Sequence, residues 1–89
     1  MPYIKQERRP EIDKLLEPLI KHLESIPIEA QDGTVDYVIT KIIKRIYQPK
    51  NFFTLNRALG VLIAVIQEFY RRVVAPYENK KMIENGDVS

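Results

Sequence analysis

The sequence predicts an all-α fold, a three-helix arrangement around one long apolar third helix. Three observations carry this. Apolar residues recur at spacings of three and four along three stretches, which is the step of a helix face and not of a strand. Proline and Asp-Gly punctuation falls between those stretches. The third stretch, residues 54–75, is apolar over most of its circumference, with Leu55, Leu59, Leu62, Ile66, Phe69 and Val73 on one line, Ala58, Val61 and Val65 on a second, and Ile63, Tyr70 and Val74 on a third. Such a helix requires cover on nearly every side.

At 89 residues the chain is one domain, 1–89,. A compact monomer of 10.5 kDa exposes roughly 5,400 Å²,. Domains this small are marginal alone, so a subunit interface is a natural addition.

Residues 1–9 contain Pro2, Tyr3 and Ile4 before a charged run, and read as an arm that docks on the domain,. Pro10 opens the first helix, where its missing N–H costs nothing, and Ile12, Leu15, Leu16, Leu19, Leu23 and Ile26 form its stripe,. Pro18, in the interior, bends that helix without ending it. Residues 25–33 form a connection, and the second helix begins near Thr34 with Asp32 or Thr34 as cap. Its buried face is Val35, Val38, Ile39, Ile42, Ile43 and Ile46, with Asp36, Lys41, Lys44 and Arg45 toward water. Pro49 breaks the pattern. In the third helix Gly60 and Ala64 leave a small-residue notch that suits close approach of another helix. Pro76 kinks the chain, two more turns end at Gly86 in the left-handed region, and the last three residues fray.

The chemistry is sparse. Without cysteine there are no disulfides, thiolate nucleophiles or cysteine-ligated metals,. His22 is the one histidine, and its helical neighbours Pro18, Leu19, Ser25 and Ile26 offer no second ligand,. No phosphate loop, HExxH or nucleophile elbow occurs. Glu84 and Asp87 are spaced like the Mg²⁺ carboxylates of all-α nucleotide pyrophosphatases, but no second carboxylate pair stands on an earlier helix. The expectation is no enzyme, no catalytic residue, no cofactor and no metal.

A net charge of +2 selects no partner,. Lys41, Lys44 and Arg45 share one side of the second helix; they are a solvated face or, as the alternative, a nucleic-acid contact. The densest polar and aromatic cluster is EFYRRVVAPYE. There Glu68 pairs with Arg71 and Arg72 in the acid-first order, and Tyr70, Arg71, Arg72 and Tyr77 are residue types found at protein-binding hot spots. The longest uninterrupted apolar run, residues 58–66, is too short to cross a bilayer, and the start lacks an apolar signal segment, so the expectation is a soluble, cytoplasmic chain with no membrane partner.

The opening MPYI, the segment Asp36-Tyr-Val-Ile-Thr40, Gly60-Val61-Leu62, the run from Glu68 to Glu78, Lys80-Lys81, and ENGDV from Glu84 to Val88 carry a resemblance. The chain resembles a family of short proteins, about this length, found in tailed bacteriophages and prokaryotic genomes. That resemblance implies origin and length; no activity comes with it. The functional expectation is therefore a phage-related helical assembly or protein-interaction protein. The expectation is a homo-oligomer, a dimer first, with Gly60 and Ala64 at the helix contact, and an unidentified protein partner; the protein-interaction candidates are Gly60, Ala64, Glu68, Tyr70, Arg71, Arg72 and Tyr77.

Overall fold

The computed structural model describes residues 2–88; Met1 of the arm and Ser89 of the tail lie outside the described residues. It is all-α, with three helices of which the third is long and apolar, and no strand among the described residues. A single 3-10 turn, Gln6–Arg8, leads into α1, Arg9–Glu24. Pro10 occupies the first turn of α1, and Pro18 is carried inside it. The helix closes where Ser25 donates its N–H to the Lys21 carbonyl at 3.2 Å and its hydroxyl to the His22 carbonyl at 2.6 Å.

The second helix, α2, spans Ile28–Ile46 and begins six residues before the expected Thr34. Pro27, extended at φ −57° and ψ 147°, is its N-cap, so neither Asp32 nor Thr34 has that role. Three strong or neutral helix formers, Glu29, Ala30 and Gln31, follow, with Glu29 favourable at the positive helix end. They carry the helix through Asp32 and Gly33. Thr34 donates its hydroxyl back to the Ala30 carbonyl at 2.8 Å, as a helix-interior threonine does,. The Gln31 amide donates to the Leu23 carbonyl at 3.1 Å, a second bond beside that from the Ile26 N–H at 3.2 Å, and so ties the start of α2 to the end of α1.

The third helix, α3, is Phe52–Phe69. Asn51 caps it, its side-chain oxygen accepting from the Thr54 N–H at 2.9 Å, which starts the helix two residues before the expected Thr54. It continues through a π turn, Tyr70–Val74, into α4, Ala75–Asn85. The irregularity expected at Pro76 takes this form. Pro76 has no N–H to donate to Arg72, and the Ala75 N–H reaches back five residues to the Tyr70 carbonyl,. The continuous helix Phe52–Asn85, at 34 residues, is ~51 Å long at 1.5 Å per residue,. It sets the 49 Å long axis of the molecule. Gly86 ends it with φ +88°, a backbone value open to glycine alone at low cost, and donates to the Met82 carbonyl at 2.9 Å,.

The closest backbone approach between separate helices is that of α1 with α2; neither comes as close to α3. Among the described residues, Thr54 and Ala58, 4% and 5% exposed, are the buried ones. Leu62 is half-buried and Ile66 is 68% exposed. On α2, Ile39, Ile42 and Ile46 are exposed, while Val35, Val38 and Ile43 are partly covered. The chain exposes 8142 Å². A compact monomer of this mass would expose roughly 5,400 Å². The radius of gyration, 16.8 Å, exceeds the ~12 Å of a compact domain of this length,.

Candidate functional site

The face of α3 that is left open is continuous. Phe52, Leu55, Leu59, Ile63 and Ile66 follow one another at steps of three and four along α3, and Tyr70 and Val73 carry the line into the π turn. Each of these residues is about half exposed or more, with Phe52 the most open at 83%. No charged residue interrupts the line. Arg57, Glu68 and Arg71 stand off it. Arg57 is held near the amino end, its guanidinium 5.3 Å from the centre of the Tyr47 ring and 5.8 Å from that of Phe53,.

On another side of α3 the amino-terminal arm docks, as expected of Tyr3 and Ile4. The Tyr3 hydroxyl donates to the Glu68 carboxylate and accepts from Arg71 Nη2 at 3.2 Å. The same Nη2 lies 2.9 and 3.0 Å from the two Glu68 oxygens. Ile4 offers its carbonyl to Arg9 Nε at 3.0 Å, which braces the arm against α1. The Tyr3 hydroxyl bond and then Arg71 hold the Glu68 carboxyl below its ordinary value, and Glu68 raises the Arg71 guanidinium. Between arm and helix lies an open apolar groove of about 450 Å³, walled by Pro2, Val61, Ala64, Val65, Phe69 and Val73 with Glu68 and Arg72 at its polar edge.

The structure therefore divides the residues that the sequence grouped. Glu68 and Arg71 meet, and Tyr3 joins them; an isolated tyrosine 65 positions earlier gave no local signal of that contact. Arg72 makes no hydrogen bond to Glu68 and acts on it through charge alone. Tyr70 turns the other way and donates to Glu78 at 3.2 Å. Tyr77 is exposed, with Lys81 Nζ 5.7 Å from its ring centre. Ala64 lines the groove beneath Pro2. Gly60 is exposed, and a Cβ there would meet nothing within 4 Å, so the Gly60 side of the notch is open within the chain.

Lys41, Lys44 and Arg45 are all exposed. Lys41 lies over the Tyr37 ring at 5.7 Å, and none of the three is in an ion pair among the described residues. Glu84 faces Lys81 at 3.4 Å, whereas Asp87, beyond the helix end at Gly86, accepts from the Val88 N–H at 2.6 Å. The turn at Gly86 thus parts the two carboxylates. No group of three metal-ligating side chains occurs among the described residues.

By length and composition the helix Phe52–Asn85 is apolar enough to cross a membrane, with a mean hydropathy of 1.4 over its most apolar window.

Fold and site together define a class: a small helical protein whose long third helix keeps an apolar face uncovered. Over residues 1–88 the chain matches the family described as a domain of unknown function (DUF6899), and it belongs to that family. Comparison with curated proteins gives no match, and comparison with solved structures gives none either.

Proposed function

We propose that this chain is a non-enzymatic, cytoplasmic, phage-related assembly protein that works by presenting apolar helical surface to protein. The observation that carries the reading is the surface itself: 8142 Å² is exposed, roughly 2,700 Å² more than a compact monomer of this mass,. Soluble monomers rarely leave contiguous apolar patches larger than a few hundred Å². A lipid bilayer would cover α3 alone. Leu15, Ile20, Ile28, Ile39 and Ile46 on α1 and α2 are also open, which favours a protein partner that meets all three helices. The phage origin rests on the resemblance of the arm, the middle segment and the carboxy-terminal run, and the family match over 1–88 agrees with its length.

Light scattering on the eluting peak of a sizing column tests the reading at micromolar concentration. A mass above 10.5 kDa is expected. A fixed monomer mass would contradict it.

The second reading, a nucleic-acid accessory role, is favoured by the exposed, unpaired set Lys41, Lys44 and Arg45 on one side of α2. Phosphate contacts weaken steeply as salt rises, so mobility shifts at two salt concentrations test it. Binding at low salt that is lost in the triple alanine variant supports this reading.

A further inference from the structure

We infer that the open line of α3 is the self-contact of a homodimer, in which the two α3 helices run antiparallel about a two-fold axis near Leu62 and Ile63. This rests on the assembly reading and names its partner, a second copy of the chain.

The area fits. If each copy brought its whole surface down to that of a compact chain, roughly 2,700 Å² per protomer, about 5,400 Å² in total, would be covered; the α3 line supplies part of this, and obligate homodimer interfaces run to about 2,000–5,000 Å² in total or more,. The chemistry fits too. The line carries no charge to be matched by a charged partner, so its complement is another apolar helix face, and a second copy supplies one of the same length.

The order of residues sets the direction. Positions on the line pair about a centre between residues 62 and 63, Leu59 with Ile66, Leu55 with Tyr70 and Phe52 with Val73, with Ile63 on the line at the centre and the half-buried Leu62 at its edge. A two-fold axis across the helix places each of these against its counterpart on the other copy. That sets the large Phe52 and Tyr70 against the smaller Val73 and Leu55. A parallel pair would stack Phe52 on Phe52 and Tyr70 on Tyr70, leaving gaps between, whereas interdigitation of large with small fills space. Antiparallel alignment also opposes the two helix dipoles. The axis lies near Ile63, not at the Gly60–Ala64 notch, part of which the arm already covers.

The chain has no cysteine, so single substitutions report without background. Ile63→Cys, Leu55→Cys and Tyr70→Cys are made separately, checked for helicity by circular dichroism, and oxidised in buffer without detergent. Ile63→Cys is expected to cross-link to itself. Leu55→Cys and Tyr70→Cys are each expected to stay uncross-linked alone and to join when mixed and annealed. Self-linking of Leu55→Cys, with no gain on mixing, would overturn the antiparallel arrangement. A multimeric mass with no cross-link at Ile63 would overturn this inference while the assembly reading stands. A monomer mass would remove both, and cross-linking replaced by partition into phosphatidylcholine vesicles would assign the face to lipid. Gly60→Cys serves as the comparison: self-linking there and not at Ile63 would move the contact to the notch.

Discussion

Both oxygens of the Glu68 carboxylate lie against a single nitrogen of Arg71, at 2.9 and 3.0 Å, and the pair stands one helical turn apart where α3 passes into the π turn. The spacing is the acid-first order that helices favour. What makes it more than a surface pair is Tyr3, whose hydroxyl bonds to both groups and fastens the arm to α3. Since the ion pair is exposed, solvent limits its own stabilising effect. Its consequence is positional, fixing where the first residues lie.

Tyr3→Phe is expected to release the arm while leaving the helices intact. Limited trypsin digestion should cut faster after Lys5 and Arg8, with an unchanged far-ultraviolet spectrum. Equal cutting rates in the two proteins would show that Pro2 and Ile4 hold the arm without the hydroxyl.

The arm contact should also respond to acid. The folded-state value of Glu68 lies below its ordinary value of 4.5, so the contribution of the carboxylate is fully present above that value and is lost as pH falls through the lowered one,. Nuclear magnetic resonance of the Tyr3 ring should therefore report a transition below pH 4.5 that is missing in Glu68→Gln. A transition that persists in the variant would assign it to another carboxylate.

Asn51→Ala removes the one side-chain cap on the amino end of α3 and should destabilise by about 1 kcal/mol,. Chemical denaturation followed by circular dichroism measures it. Lys44→Ala, on an exposed face, should stay within about 0.5 kcal/mol of the parent.

Ile66 separates the chain from its assembly. Judged by a single chain, 68% exposed, Ile66→Ala should cost little. Buried in the self-contact, it should cost roughly 2–5 kcal/mol, as truncation of a packed isoleucine does. The larger loss is expected, together with weaker association by sedimentation.

Much of the secondary structure was legible in the sequence. The three helices follow from apolar spacing, and Pro10, Pro76 and Gly86 each mark a boundary or irregularity close to its place. The start of α2 was misjudged because Asp32-Gly33 has turn chemistry, and local propensity in the preceding Glu29-Ala30-Gln31 outweighs it. The packing of α1 and α2 on α3 was not legible, since a periodic stripe says that a face needs cover and not which chain supplies it. Tyr3 on Glu68 was hidden for the same reason: the contact joins residues 65 positions apart.

The central claim is that the uncovered face of α3 is covered by association, and its most direct measurement is the melting temperature as a function of protein concentration. When folding and association are one transition, each tenfold rise in concentration adds stability by mass action and should raise the midpoint by roughly 3–6 °C for a pair of this size. A midpoint that stays constant from 1 to 100 μM, as order-of-magnitude limits chosen to span a dissociation constant of about 10 μM, would contradict it.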